Sequence, residues 1–494
     1  MDKTVDLLVI GGGINGAGIA RDAAGRGLTV VLCEQGDLAG ATSSASTKMI
    51  HGGLRYLETF EFSLVREALA ERERLLHIAP NLVRPLRLIL PHDPHMRPAW
   101  MIRSGLWLYD HLGGGSSLPR SGAVRLENCL EAKALRRPEG RAFAYSDGWS
   151  DDARLVAMSA LDAFERGAAI HTRTKVTACI RKAGLWLVRA KTKSGQTLSF
   201  HARALVNAAG PWVEQMDDDT GARAVQHMRL VKGSHIVLPK LFEGERGFLL
   251  QNPDRRVLFA LPWLGAFTLF GTTDTPFSGN PYDAKLDDHE RHYLLEAVNR
   301  FFAKTTTAAD IVWSYSGVRA LFGDENVKAS KLSREYHLKL SNAKDGAPVL
   351  TVLGGKITTF RALAEKALDM LAPRLGNDAP HWTGTMPLPG GDLPDGSLDA
   401  LREEAAQRWP FLPTPLARRL SRLYGSRMER FLGDARALQD LGHAYGAGFY
   451  EAELDYLKIH EWAQSADDVL WRRTKLGLFM SPSEQAALRA RFTD

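Results

Sequence analysis

The stretch Val5–Glu34, VDLLVIGGGINGAGIARDAAGRGLTVVLCE, decides the fold of this chain. Its first six residues form an apolar run of the length expected for a buried parallel strand, and Gly11, Gly13 and Gly16 then give the pattern GxGxxG. A helical pattern and a second apolar run follow, and that run ends at Glu34. The order strand, glycine turn, helix, strand and acid is typical of a dinucleotide site, whereas a lone glycine-rich turn would be a weak signal.

Each residue of this motif has a physical task. Gly11 allows the tight turn, Gly13 lets the backbone approach a pyrophosphate, and Gly16 lets the helix pack close to the strand. The helix N-terminus offers free N–H groups and a partial positive charge to the pyrophosphate. Glu34 is placed to accept hydrogen bonds from an adenosine ribose, and its charge disfavours a 2′-phosphate, and therefore NADP.

Length and composition limit the function classes. With 494 residues, the chain is expected to form two or three domains. The formal charge of +6 is compatible with an anionic substrate or an anionic lipid surface, but it is too small to indicate a nucleic-acid-binding protein. Cys33, Cys129 and Cys179 lack metal-ligand spacing, so we expect buried free thiols in a reducing compartment and no metal site. No GxSxG, HExxH or CxxC motif indicates hydrolase or metal chemistry.

No targeting or membrane-spanning segment is expected. The first apolar run begins after only four residues and enters the nucleotide motif, which argues against a signal peptide. The longest uncharged run, 257–273, contains Pro262 and Gly265 and predicts two strands around a turn at 263–266. It is too short and too interrupted for a membrane span of about 20 residues.

A hydroxyl-rich loop and a glycine pair follow the motif. Small hydroxyl side chains beside a nucleotide fold can donate to phosphates, although an ordinary serine-rich loop has the same composition. The candidate phosphate ligands are Thr42, Ser43, Ser44, Ser46 and Lys48. The sequence HGGLRY then places Arg55 and Tyr56 directly after two glycines, and residues 62–77 have the pattern of an amphipathic helix.

Several ordered blocks resemble one enzyme family. VIGGGINGAGIARDAAGRG and TSSASTKMIHGGLRYLE are similar to segments of the FAD-dependent, respiratory glycerol-3-phosphate dehydrogenases of bacteria. Further matching blocks occur in the family's order: DGWSDDARLV, LVNAAGPWV, LVKGSHIVLP, ALPWLGAFTLFGTTDT, WSYSGVRAL and LGGKITTFRALAEKAL. The resemblance covers residues 4–385 and, more loosely, the remainder.

The resemblance implies an α/β fold with three parts. A glutathione-reductase-like FAD-binding domain is expected to be discontinuous, over 1–79, 150–215 and 311–385. A D-amino-acid-oxidase-type antiparallel substrate domain is expected over 80–149 and 216–310. Pro- and Gly-rich residues 372–397 are interpreted as a linker, and 386–494 as a helical C-terminal domain. The basic residues of that domain could face a quinone or form a homodimer surface, although a solvated helix face has the same pattern.

The resemblance also implies the reaction and its location. The substrate would be sn-glycerol 3-phosphate, oxidised to dihydroxyacetone phosphate, with FAD as cofactor and ubiquinone as acceptor. The enzyme would be peripheral on the cytoplasmic side of the inner membrane. Residues 97–109 mix Trp100 and Trp107 with Arg97 and Arg103, which suits an anionic headgroup interface, although a core helix has the same pattern.

The candidate substrate residues are mainly cationic. Arg55, Arg319 and Arg334 would bind the phosphate, because the guanidinium fork matches that group, whereas surface ion pairs are the alternative. Tyr56 would orient the hydroxyls. His235, in KGSHIVLP, is the leading candidate for the general base, although a structural histidine remains the alternative.

A second glycine pair is predicted to act on the flavin. Gly354, Gly355 and Lys356 precede a helix predicted over 357–371, and a helix N-terminus with a lysine would stabilise negative charge on reduced flavin. Thr358 in that block and Gly210 in LVNAAG complete the predicted cofactor contacts. The family has Tyr where this chain has Phe360, so a role for that hydroxyl is in doubt.

Three alternatives stay open from the sequence. A soluble oxidase acting on the same substrate would release peroxide without quinone. An amine oxidase of the same fold would favour an Arg–Tyr pair for a carboxylate and would need fewer arginines. A non-catalytic flavin-binding scaffold is disfavoured by the acid–base and cationic residues.

Overall fold

The computed structural model describes residues 4–93, 96–220, 228–254, 256–322, 335–341 and 346–492. These residues form two large β-sheets with their covering helices, and a C-terminal group of helices that includes a small two-stranded sheet. The strands are β1 (Thr4–Ile10), β2 (Val30–Cys33), β3 (Met49–Ile50), β4 (Val83–Pro91), β5 (Gly122–Arg125), β6 (Arg141–Ser150), β7 (Ala169–His171), β8 (Thr174–Lys182), β9 (Leu185–Thr192), β10 (Thr197–Asn207), β11 (Met228–Pro239), β12 (Gly247–Gln251), β13 (Val257–Trp263), β14 (Phe267–Gly271), β15 (Thr275–Pro276), β16 (Trp313–Phe322), β17 (His337–Ser341), β18 (Val349–Leu353), β19 (Ala444–Gly446) and β20 (Phe449–Tyr450).

Helices connect and cover these strands. They are α1 (Ile14–Gly25), α2 (Phe62–Ile78), α3 (Ala99–Leu112), α4 (Asp152–Glu165), α5 (Val213–Thr220), α6 (Asp288–Phe301), α7 (Phe360–Leu375), α8 (Leu398–Arg408), α9 (Thr414–Tyr424), α10 (Glu429–Leu432), α11 (Glu451–His460) and α12 (Pro482–Ala490). None of the helices within the described ranges is both long and apolar enough to cross a bilayer.

The first sheet contains the predicted nucleotide motif. Its strand order is β17-β18-β10-β1-β2-β7, with β1 parallel to both β2 and β10. Both faces of β1 are buried, which explains its continuous apolar run: α1, α4 and α7 cover one face, and the β8–β9 hairpin with α5 covers the other. The hairpin of β8 and β9 extends this sheet antiparallel to β10. The fold class predicted from the opening stretch is confirmed.

The second sheet has ten strands, and the structure moves a predicted boundary in it. Its order is β15-β11-β14-β13-β12-β4-β6-β3, with β16 on β11 and β5 on β6. The prediction placed residues from 311 onward in the FAD-binding domain, whereas β16 pairs with β11 over ten residues of this sheet. Strand β3 was also placed in the FAD-binding domain by the prediction, but it pairs with β6 of this sheet. The predicted two strands around the turn at 263–266 are present as β13 and β14.

The C-terminal helices have a core of their own, and the segment before them is not a loose linker. Leu420, Leu457 and Val469 belong to that separate core. In the predicted linker, Leu388 is buried in the core of the first sheet, and its N–H donates to the carbonyl of Ile78 at 2.8 Å. The interpretation of 372–397 as a linker is therefore wrong up to Leu388, because α7 itself continues to Leu375 and the Trp382 indole N–H donates to the carbonyl of Asp22 in α1 at 3.2 Å. All three cysteines are buried and free, as expected.

Candidate functional site

The glycine turn forms one end of a large cavity between the two sheets. This cavity has a volume of about 3020 Å³, and its wall includes Gly11, Gly13 and Asn15. Gly11 has φ +112°, and a Cβ on it would overlap the carbonyl of Ala208, so only glycine fits there. A Cβ on Gly16 would likewise overlap the Gly11 carbonyl. The start of α1 carries no side-chain cap at Gly13, which leaves room and N–H donors for a phosphate.

The acid at the end of β2 lies in the same wall. Glu34 accepts the N–H groups of Gly12 and Gly36, both at 2.6 Å. A carboxylate has about four acceptor positions, so capacity for ribose hydroxyls remains. Burial raises the pKa of Glu34, although the two N–H donors oppose this effect.

Two aromatic residues beside Glu34 were missed from the sequence. Tyr282 reaches from the second sheet's side to place its hydroxyl 3.5 Å from a Glu34 oxygen, and its ring lies 4.5 Å from the ring of Trp212. Both line the cavity. They join Glu34 only in three dimensions, since Tyr282 is 248 residues further along the chain. Trp212, two residues after Gly210, was the only local signal.

The hydroxyl-rich loop divides into cavity-facing and structural residues. Thr42, Ser43 and Ser46 line the cavity, whereas Ser44 is absent from its wall. The Ser43 hydroxyl accepts the N–H of Ile14 at 3.0 Å and so holds the loop against the start of α1.

Lys48 does not take the place expected of a phosphate ligand. It is buried, and its ammonium donates to both carboxylate oxygens of Asp152 at 2.7 and 2.8 Å. Asp152 is fully buried at the start of α4 and needs a charged partner, which explains why the lysine turns away from the cavity.

The second glycine pair also lies in the cavity wall. Gly354 and Gly355 adopt φ +70° and +104°, and Lys356 follows with its ammonium 3.8 Å from the centre of the Tyr56 ring. The predicted helix over 357–371 starts instead as a 3-10 turn, Ile357–Thr359, and α7 continues to Leu375. Thr358 is buried outside the wall, where its hydroxyl accepts the N–H of His51 at 3.2 Å.

Phe360, where the family has Tyr, lies in the interior of the protein. Phe360 is 1% exposed, and its ring lies against Gly18 of α1, where a Cβ would come within 2.8 Å of it. The aromatic ring therefore acts in packing between α7 and α1.

His235 lies at the far end of the cavity, on β11. Its Nε2 is 2.9 Å from the Thr47 hydroxyl, and its ring stacks on Tyr315 at 4.9 Å. Its Nδ1 is buried and has no hydrogen-bond partner among the described residues. Burial, followed by the charges of Lys48 and Arg319, holds the pKa of His235 well below its usual range. The imidazole is therefore neutral near pH 7.

Three cationic residues were predicted to face the substrate, and the described ranges contain two. Arg319 lines the cavity on β16 and donates to the carbonyl of Thr273 at 3.4 Å. A Cβ on Gly233 would overlap its guanidinium, so that glycine makes room for it. Arg55 is exposed in the same wall beside Tyr56. Arg334 lies outside the described residues.

The residues at the first end of the cavity fit FAD. The glycine turn leaves space that a Cβ would fill, the start of α1 at this turn has no side chain at its N-cap, and Glu34 lies at the end of β2 where it can bind a ribose. Gly210, Gly355 and Lys356 line the same wall towards His235.

Comparisons with known proteins give the same cofactor class. The family model described as FAD dependent oxidoreductase matches residues 6–361, and the model described as the C-terminal domain of alpha-glycerophosphate oxidase matches residues 381–491. A solved structure, the glycerol-3-phosphate dehydrogenase from Bacillus halodurans complexed with FAD, is 26% identical with a TM-score of 0.74, covering 99% of this chain and 94% of that chain.

Curated relatives match over nearly the whole length. Glycerol-3-phosphate dehydrogenase of Pseudomonas aeruginosa is 52% identical, covering 98% of this chain and 94% of the relative. Aerobic glycerol-3-phosphate dehydrogenase of Escherichia coli is 49% identical, covering 98% and 96%. D-erythritol 1-phosphate dehydrogenase of Brucella abortus is 47% identical, covering 98% and 97%. By this similarity, and with a glycine turn and an acid that fit FAD, the chain belongs to the glycerol-3-phosphate dehydrogenase family of FAD-dependent oxidoreductases.

Proposed function

We propose that this enzyme oxidises sn-glycerol 3-phosphate to dihydroxyacetone phosphate. The observation that carries the proposal is a neutral, buried His235 beside Arg319 at the end of a cavity whose other end fits FAD. A base next to a cation suits a substrate that has both an alcohol to deprotonate and a phosphate to bind. The names of the relatives support this substrate.

Cationic side chains would bind the phosphate. Arg55 and Arg319 are on two different elements and both line the cavity, and each offers a guanidinium fork that matches a phosphate. Arg334, which lies outside the described residues, remains a proposed third ligand. Tyr56, whose ring meets the Lys356 ammonium, would orient the substrate hydroxyls.

His235 would take the hydroxyl proton. If its Nε2–H donates to the Thr47 hydroxyl, Nδ1 keeps a lone pair, and this atom has no partner among the described residues. The O–H and C–H bonds of the secondary alcohol break as the C=O bond forms. When bound, FAD supplies the acceptor for the hydride, at its N5 position.

Lys356 and the backbone at Gly355 would stabilise negative charge in the cofactor pocket. The ammonium and the N–H groups at the start of the 3-10 turn are held in place before the reaction, so little reorganisation is needed. Lys356 therefore has an electrostatic role in this proposal.

We also propose that the electrons pass to ubiquinone at an anionic membrane surface on the cytoplasmic side of the inner membrane. Large apolar side chains are exposed near the cavity mouth, namely Phe60, Phe62, Trp100, Met101 and Trp107. Phe60 and Met101 also line the cavity. Arg97 and Arg103 lie among them, as expected for a headgroup interface.

A second candidate substrate is D-erythritol 1-phosphate, which is favoured by the Brucella abortus relative. It carries the same phosphate and a vicinal hydroxyl on a chain one carbon longer. Both candidate substrates would contact the same residues, so the enzyme would distinguish them by how well the longer carbon chain fits in the cavity.

Anaerobic visible absorbance of the purified holoenzyme tests the proposal. Bleaching of the oxidised flavin band by sn-glycerol 3-phosphate is expected, with weaker bleaching by D-erythritol 1-phosphate. Stronger bleaching by D-erythritol 1-phosphate would make that compound the proposed substrate. No bleaching by either compound would overturn the proposal. Re-oxidation by a ubiquinone analogue faster than by oxygen would separate a dehydrogenase from an oxidase.

A further inference from the structure

Helix α3 contacts solvent with one face and the body of the protein with the other. Trp100 and Trp107, seven residues apart and therefore on one face, are 68% and 57% exposed. Leu106 and Tyr109 on the inner face are 0% and 2% exposed. A polar hydroxyl buried this deeply requires hydrogen-bond partners.

Tyr109 finds two partners, one on each side. Its hydroxyl donates to Asp147 Oδ1 at 2.6 Å and accepts the backbone N–H of Gly52 at 2.8 Å. Arg72 donates to the same Asp147 oxygen at 3.2 Å. Burial raises the pKa of Asp147, but the guanidinium of Arg72 and these hydrogen bonds oppose that effect. The phenol is therefore fixed between a buried carboxylate and one backbone amide.

That amide begins the loop that carries two proposed substrate ligands. A Cβ on Gly52 would lie 2.7 Å from the Tyr109 hydroxyl, so the backbone at Gly52 packs directly against α3. Gly53, with φ +77°, then turns the chain into the 3-10 helix Leu54–Thr59. That helix places Arg55 and Tyr56 in the cavity wall.

We propose that Tyr109 is a positioning residue, through which α3 holds Arg55 and Tyr56 ready for the substrate. The inference rests on the proposed function, in which these two residues bind the substrate. Without the phenolic hydroxyl, Gly52 keeps only a 3.3 Å approach to Asp147, and the start of the loop gains freedom. Substrate binding must then order the loop. This cost weakens the affinity for the substrate more than it lowers the rate of reaction in the bound complex.

The substitution Tyr109→Phe tests this role, because it keeps the ring that packs edge-on against Tyr145 and removes only the hydroxyl. We expect KM for sn-glycerol 3-phosphate to rise about fivefold to tenfold, as for one lost hydrogen bond, with kcat within about twofold of wild type. The flavin content should be unchanged.

Tyr424→Phe is the matched control. Tyr424 is also fully buried, and its hydroxyl donates to a Glu453 oxygen at 2.7 Å in the C-terminal core, far from the cavity wall. Both variants should lose a similar amount of thermal stability, but only Tyr109→Phe should raise KM.

The outcomes separate this inference from the proposed function. If wild type is bleached by sn-glycerol 3-phosphate and Tyr109→Phe has the wild-type KM, the inference is wrong and the hydroxyl is only structural. An equal rise in KM for Tyr424→Phe would overturn it as well. If wild type itself is not bleached, the proposed substrate fails.

Discussion

At the scale of single residues, burial decides which groups can do chemistry. His235 and Lys48 are both buried polar residues of neighbouring segments. Lys48 forms an ion pair with a buried carboxylate, Asp152, whereas His235 Nδ1 has no hydrogen-bond partner among the described residues. The lysine therefore contributes to stability, whereas the histidine is the group to which the proposed mechanism assigns the substrate proton.

Replacing His235 by Asn should slow flavin reduction without releasing the cofactor. A positioned base contributes roughly 10²- to 10⁴-fold to the rate, so a loss in this range is expected for reduction by sn-glycerol 3-phosphate. Anaerobic stopped-flow absorbance measures it. His381→Asn, in an exposed histidine paired with Asp369, serves as control and should react as wild type does.

The pH dependence of the same reaction is a second test of His235 as the general base. A base must be unprotonated, and the pKa of His235 lies well below the usual value of about 6.5 because of burial and neighbouring cations. The rate of reduction at saturating substrate should therefore stay constant as pH falls to about 6.5 and decline only below it. A decline centred at or above pH 7 would contradict the assignment of His235.

At the scale of elements, α3 carries both proposals, one on each face. Its exposed tryptophans suit a lipid surface, and the Tyr109 hydroxyl on the inner face accepts the Gly52 N–H at the start of the loop that carries Arg55 and Tyr56. A helix of 14 residues, about 21 Å long, is too short to span a bilayer but long enough to lie on one.

The double substitution Trp100→Ala/Trp107→Ala should weaken membrane retention. Indole rings contribute most when they lie at the headgroup boundary, so we expect a several-fold smaller bound fraction on liposomes with anionic lipid. Cosedimentation measures this fraction.

A double substitution elsewhere provides the control. Phe164 and Ile459 are also exposed, at 50% and 72%, but they lie away from the cavity wall. Their replacement by Ala should leave liposome binding unchanged. If the tryptophan variant and wild type bind liposomes equally, α3 does not contact the membrane through these tryptophans.

At the scale of the whole molecule, buried ion pairs join the C-terminal helices to the FAD-binding body. Arg154 of α4 pairs with Glu461, and Arg473 donates to Asp37 at 2.8 Å through two nitrogens. Burial lowers the pKa of Arg154, but the Glu461 carboxylate more than offsets this, so the pKa is raised overall. Because Asp37 lies three residues after Glu34, the C-terminal helices support the loop beside the cofactor site.

Glu461→Gln should loosen this junction. It leaves the fully buried guanidinium of Arg154 without its carboxylate, which typically costs about 3 to 5 kcal/mol. The melting temperature should fall, and limited trypsin digestion should release the C-terminal helices earlier than in wild type. Asp399→Asn, in an exposed pair with Arg402, should change neither measurement. Wild-type digestion of Glu461→Gln would show that the junction does not depend on this pair.

Local patterns predicted the features that depend on neighbours in sequence. Gly11 and Gly16 followed from their spacing because the turn, the strand and the helix are consecutive. Pro262 and Gly265 similarly marked the turn between β13 and β14. By contrast, the pairing of β16 with β11 was not predicted, because the partner strand begins 85 residues earlier and pairing leaves no local pattern in the sequence.

The sequence by itself determined the dinucleotide fold, FAD as the cofactor class and the set of candidate cations, because these depend on short-range spacing and on similarity over many ordered blocks. Only the tertiary structure decided which candidates face the cavity. It turned Lys48 to Asp152, placed Tyr282 beside Glu34, and brought Tyr109 to Gly52. These choices are made by burial: a charge or hydroxyl removed from water goes to the nearest partner that satisfies it, and that partner is set by the packing of distant elements.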